Sequence, residues 1–129
     1  MHKKLIITPV VLLLLLISNF CIAESILINI EVQSDDGTLE YDILQKSIDL
    51  INSLENHEVS TSKNSNVIIK IAVASLKDYQ DVMYGAAIAM LSVEKQDNGL
   101  RKIINFDNEV VLINNIENRV KEKIRIILE

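Results

Sequence analysis

The chain has 129 residues, 49% of them hydrophobic, with 13 Lys and Arg against 18 Asp and Glu. Aromatic residues make up 4% and Trp is absent, which argues against a carbohydrate-binding platform or a nucleic-acid stacking surface, both of which use aromatic faces. A net charge of −5 repels phosphate backbones and anionic lipid, so nucleic acid is not an expected partner.

The first 23 residues have the layout of a secretory signal peptide. Lys3 and Lys4 follow Met1 and His2, residues 10–17 are an unbroken apolar block, and Cys21 and Ala23 place small residues at the −3 and −1 positions of a cut after Ala23. The apolar core is shorter than the roughly 20 residues that span a bilayer comfortably. An uncleaved anchor over residues 5–23, with Lys3 and Lys4 on the cytoplasmic side, is the first alternative. Lipidation at Cys21 is the second, although Phe20 stands where lipoproteins usually have a small residue. Cleavage after Ala23 removes the only cysteine, so the mature chain forms no disulfide. The sequence contains no Asn-x-Ser/Thr sequon. These features point to a bacterial periplasmic or secreted protein, with contact to the membrane only through an uncleaved N-terminal segment.

Residues 24–129 form one domain of ordinary size. Lys3 and Lys4 leave with the leader, so about 11 basic residues face 18 acidic ones, a dispersed balance of about −7 that reads as a solvated surface.

Residues 26–32 alternate: Ile26, Ile28, Ile30 and Val32 on one side, Asn29 and Glu31 on the other, the pattern of a half-buried strand. Ser34-Asp35-Asp36-Gly37-Thr38 is a turn in which Asp36 or Thr38 caps the next element. Leu39, Ile43, Leu44, Ile48, Ile51 and Leu54 then recur at helical spacing, predicting a helix to about residue 56. Residues 57–62 are a short edge strand and 63–66 a loop. Residues 67–76 are the most apolar mature segment and predict a central strand covered largely on both faces. Residues 77–82 are polar. Residues 83–93 fit both periods, but the Asp97-Asn98-Gly99 turn behind them favours a strand entering a hairpin. Strand continues to about residue 113, with a bulge or second turn expected near Asp107-Asn108. A last helix, capped by Asn114 or Asn115, carries Ile116, Val120, Ile124, Ile127 and Leu128 inward and a Glu117–Lys121 pair outward. The expected fold is an α+β two-layer sandwich, with a mostly antiparallel sheet of four to five strands and two helices on one face.

No catalytic, metal or cofactor motif stands out. Asp35-Asp36-Gly37 lacks the spacing of a calcium loop, and turn plus cap accounts for it. His57 is the only mature histidine, beside Glu58; zinc needs three or four ligands, and no Gly-x-Ser-x-Gly elbow accompanies it. The segment with Asp78, Tyr79, Asp81 and Tyr84 ranks highest for function, as a contact patch, because Tyr is favoured at interfaces. His57 and Val59 join it as candidate partner contacts on an edge strand, which also admits pairing between two copies. Phe106, the only mature Phe, is either a core plug under a turn or an exposed anchor. The small residues Gly85, Ala86, Ala87 and Ala89 leave room for an overlying helix.

The element order resembles that of small bacterial envelope accessory domains, which use a helix-covered sheet to bind other envelope proteins. That resemblance implies a non-catalytic exported domain whose partner is a protein. The alternatives are an inhibitor or immunity-type protein for an exported enzyme, its acidity steering it to a basic partner, and a small carboxylate enzyme using His57.

Overall fold

The computed structural model describes residues 24–129, so the leader, its cleavage after Ala23 and the role of Cys21 lie outside the described residues. The order is β1 (Ile26–Ser34), α1 (Gly37–Ser53), β2 (His57–Val59), β3 (Val67–Lys77), β4 (Met83–Lys95), β5 (Arg101–Leu112), a 3-10 turn (Ile113–Asn115) and α2 (Ile116–Leu128). The five strands form one sheet in the order β2-β1-β3-β4-β5. Both helices lie on one face, giving an α+β two-layer sandwich. The sheet is mixed: β1 pairs parallel with β2 and β3, while the two longest ladders, β3–β4 and β4–β5, are antiparallel.

Local chemistry accounts for each element. Asp36 is the cap of α1, its carboxylate accepting from the Leu39 N–H at 2.9 Å. That satisfies one of the donors a helix start leaves free. Asn56, in the left-handed region (φ 63), turns the chain from α1 into β2. The apolar side of β1 (Ile28, Ile30) meets Val67, Ile69, Ile71 and Val73 of β3, then Ala86, Ile88 and Met90 of β4. Ile43, Leu50 and Ile51 of α1, with Ile116, Val120 and Ile124 of α2, close this core from above. Ser47 is buried within α1 and donates to the Ile43 carbonyl at 2.6 Å, so it leaves no orphan hydroxyl.

The ambiguous 83–93 segment is strand, as the hairpin chemistry predicted. Gly85 is required there. A Cβ on it would meet the Val111 carbonyl oxygen at 2.5 Å, so β4 and β5 approach closely only because it has none.

Four expectations need correction. First, β5 runs unbroken through Asp107 and Asn108, and the irregularity lies earlier. Ser92 pairs with Asn105 and Val93 with Ile103, leaving Ile104 as the extra residue of a bulge. Second, β3 is not covered on both faces. Val67, Ile69, Ile71 and Val73 are buried under the helices, but Lys70, Ala72 and Ala74 face an uncovered side. Third, Asn115 precedes α2 without a side-chain capping bond, and the 3-10 turn leads into the helix instead. Fourth, the ion pairs of α2 come from Arg119 and Lys123, with no Glu117–Lys121 pair.

Candidate functional site

The strand registers lay out the uncovered face as rows across the sheet. One row is Glu31, Lys70, Leu91, Phe106; the next is Gln33, Ala72, Ala89, Asn108; a third is Ala74, Ala87, Val110; and Gly85 stands beside Leu112 at the end. Four alanines occupy the middle two rows, where larger side chains flank them. The result is a trough of about 750 Å³ over Gln33, Asp35, Ala74, Ala87 and Val110. It is continuous with a recess of about 520 Å³ over Lys70, Leu91 and Phe106, both sharing Gln33, Ala72 and Ala89. The run of small residues therefore makes room as expected, but no helix of the described residues fills it.

One end of this face is closed. Asn29 is buried and donates to the Ser62 carbonyl at 3.2 Å, and the Leu27 N–H donates to Asn66 Oδ1 at 2.8 Å. Arg101 donates to the Ser65 and Lys63 carbonyls. The 60–66 loop is thus held over the start of β1 and β3. At the other end Asp35 accepts from the Ser75 N–H at 2.9 Å and hydroxyl at 2.6 Å. These bonds hold its carboxyl below the usual carboxylate range.

The side chains of β5 are reversed relative to an ordinary edge strand. Asn105, Asp107 and Glu109 stand on the helix side, while Phe106, Val110 and Leu112 project from the uncovered side with 63%, 70% and 66% of their surface exposed. Phe106 is therefore the exposed anchor and not a core plug. The polar side is neutralised from α2. Arg119 donates to both Glu109 oxygens, with Nη2 to Oε2 at 2.9 Å, and also reaches Glu122 at 2.8 Å. Lys123, with its side chain only 5% exposed, donates to Asp107 and lies 3.3 Å from Glu109. The Glu109 carboxyl is held below its usual range, chiefly by its hydrogen bonds to Arg119 and then by Lys123, and Arg119 is pushed above its own. These acids are only partly covered, and without those cations their carboxylates would lose the charge that compensates them against the helix layer.

The sequence-predicted contact residues fall into two separate groups, and none of them lines the trough or the recess. Asp78, Tyr79, Asp81 and Tyr84 surround the β3–β4 connection. Asp78 accepts from the Gln80 and Val82 N–H groups at 2.8 and 3.0 Å and shapes the turn, while Lys77 lies 3.7 Å from Asp81. Tyr79 is 95% exposed and Tyr84 half-exposed. His57 and Val59 lie at the other end of the sheet, on β2 beside Ile26 and Ile28. The His57 Nδ1 sits 2.7 Å from the Glu55 carbonyl. No carboxylate of the 78–84 segment is brought to His57, and among the described residues no group of three or more His, Cys, Asp or Glu is placed to hold a metal ion. The residues missed from sequence are Glu109, Arg119 and Lys123. Their only signal was the acidic alternation of residues 105–109, which has no meaning until α2 is placed above it.

No family model matches the chain, and comparison with curated proteins finds no significant relative. No helix of the described residues is long and apolar enough to cross a membrane.

Proposed function

We propose that this is an exported, non-catalytic protein-interaction domain of the bacterial envelope, which binds its partner on the uncovered sheet face beside β5. One observation carries the reading: β5 directs Phe106, Val110 and Leu112 to solvent on the uncovered side and its acids to the helix side. A one-residue slip would have put the apolar set inside, and register is strongly specified wherever one face is buried. Here Arg119 and Lys123 fix the opposite choice. Contiguous apolar surface of this kind, rimmed by Gln33, Lys70 and Asn108, is the mark of a protein contact site. Export rests on the leader-like residues 1–23.

The test is position-specific photo-crosslinking in a bacterial host, combined with cell fractionation. A photoreactive residue at Val110 or Leu112 is expected to give discrete protein adducts in the envelope fraction. The same residue at Lys46, on the solvent side of α1, is expected to give none. Equal adducts from all three positions, or a cytoplasmic product that keeps residues 1–23, would contradict the proposal.

A further inference from the structure

The two edges of the sheet are treated differently. At the β2 edge the His57 N–H donates to the Leu54 carbonyl at 3.3 Å, and the Val59 N–H donates to Asn52 Oδ1 at 3.1 Å. The Ser60 N–H turns inward to Ile28 at 2.8 Å. With three residues and its outward donors occupied by α1 and the turn after it, β2 offers no free N–H to a further strand. The β5 edge is the opposite: twelve residues, no proline, and no strand beyond it among the described residues. An open edge of that length is a template for strand addition; it carries no proline, and its inward-pointing acids Asp107 and Glu109, which could blunt it, are already paired with Lys123 and Arg119.

We infer that β5 pairs antiparallel with β5 of a second copy of this chain, about a two-fold axis at Phe106. The inference rests on reading the β5 side of the sheet as the contact surface. Self-complementarity selects the second copy over an unrelated strand. The strand is basic at its start (Arg101, Lys102) and acidic in its second half (Asp107, Glu109). An antiparallel pair of identical strands brings each basic end against the other's second half, where Asp107, Glu109 and Glu122 face only Arg119 and Lys123, so one acidic charge stays uncompensated within the chain. The bulge sets which residues meet. Because Ile104 is the extra residue, Lys102 shares the helix side with Asn105, Asp107 and Glu109, while Ile103 shares the uncovered side with Phe106 and Asn108. A register centred on Phe106 therefore sets Phe106 against Phe106, Asn105 against Asp107, Ile103 against Asn108, and Lys102 against Glu109, every pair on one face. Lys102 makes no ion pair within its own chain among the described residues. Opposite-charge and aromatic cross-strand pairs are the contacts that stabilise antiparallel strands. A two-fold interface of this kind closes on itself, leaving only the two blunted β2 edges at the ends of a ten-stranded sheet.

Sedimentation equilibrium on the purified product of the full chain is the first arm. The expected result is a dimer that dissociates in the Phe106→Asp variant with the far-UV spectrum unchanged, and that weakens in Lys102→Glu. The second arm uses Phe106→Cys with Cys21→Ala. Directly opposed β-carbons lie about 4.5–5.5 Å apart across an antiparallel pair, close to disulfide range. Mild oxidation is therefore expected to give a covalent dimer from Phe106→Cys and none from Lys46→Cys. A wild-type monomer at the highest concentration read overturns the inference, as does a dimer that Phe106→Asp leaves intact. If the chain is monomeric while photo-crosslinks at Val110 still capture a different protein, the second copy is rejected and the contact surface stands. If both fail, both readings fall.

Discussion

Replacing Phe106 by Ala separates the two roles a lone aromatic can play. In a core, Phe→Ala removes about 3–5 kcal/mol of stability. Phe106 keeps 63% of its surface in water, so only about a third of a side chain of roughly 200 Å² is covered, which at about 25 cal/mol per Å² limits the loss to about 1–2 kcal/mol. Ile88, opposite Glu109 on the helix side and 1% exposed, provides the contrast. Its truncation to Ala should cost about 3 kcal/mol, because transfer and cavity terms add at a site that cannot collapse. Urea unfolding followed by far-UV circular dichroism, on dilute protein so that association does not contribute, measures both. For a domain of this size each kcal/mol corresponds to about 4–8 °C in Tm, so the two variants should also separate clearly on heating. A loss of about 3 kcal/mol or more in Phe106→Ala, the range for a buried aromatic, or a larger loss there than in Ile88→Ala, would refute the reversed orientation of β5.

Three further outcomes rest on named contacts. Glu109 has a carboxyl held below its ordinary value in the folded chain, so its contribution to stability is fully present above the unfolded value of about 4.5 and is lost as pH falls through the folded one. Acid unfolding of Glu109→Gln should therefore be shallower below about pH 4.5 than that of the wild type; parallel curves would contradict this. Gly85→Ala drives a methyl toward the Val111 carbonyl at 2.5 Å. It should cost about 2 kcal/mol and speed amide exchange along β4 and β5, and a neutral effect in urea would refute the close approach. Asp36→Ala removes the bond to the Leu39 N–H and should cost about 1 kcal/mol; an unchanged urea midpoint would show that α1 does not need it.

The elements with one dominant period were legible in the sequence. Ile28 and Ile30 of the 26–32 alternation, the stripe from Leu39 to Leu54 and the Ile116–Val120–Ile124 face bury the side their spacing predicts, because local period and core coincide there, whereas Ile26 at the start of β1 stays exposed and Asn29 is buried under the 60–66 loop. Residues 67–76 depart from their apolar pattern on one face for a physical reason. Ile68 is covered, but by the 60–66 loop at one end, and Ala72 and Ala74 are small enough to stand in water without a covering layer. The reversed β5 was not legible at all. Nothing within residues 101–112 says that acids point inward; that depends on Arg119 and Lys123, ten to sixteen positions further along. The blunting of the β2 edge was equally hidden, since it depends on Asn52 at the end of α1. A candidate surface built from residues that are individually ordinary appears only when the register sets them in rows.

The most direct test of the β5 orientation is a cysteine-labelling series along the strand in a Cys21→Ala background, read as the rate of thiol modification in native protein relative to the same protein in denaturant. The reversed orientation predicts fast labelling at positions 110 and 112 and slow labelling at 109 and 111, alternating with the strand. Slow labelling at 110 and 112 with fast labelling at 109 and 111 would place the apolar side of β5 in the core and remove the basis for a contact surface there.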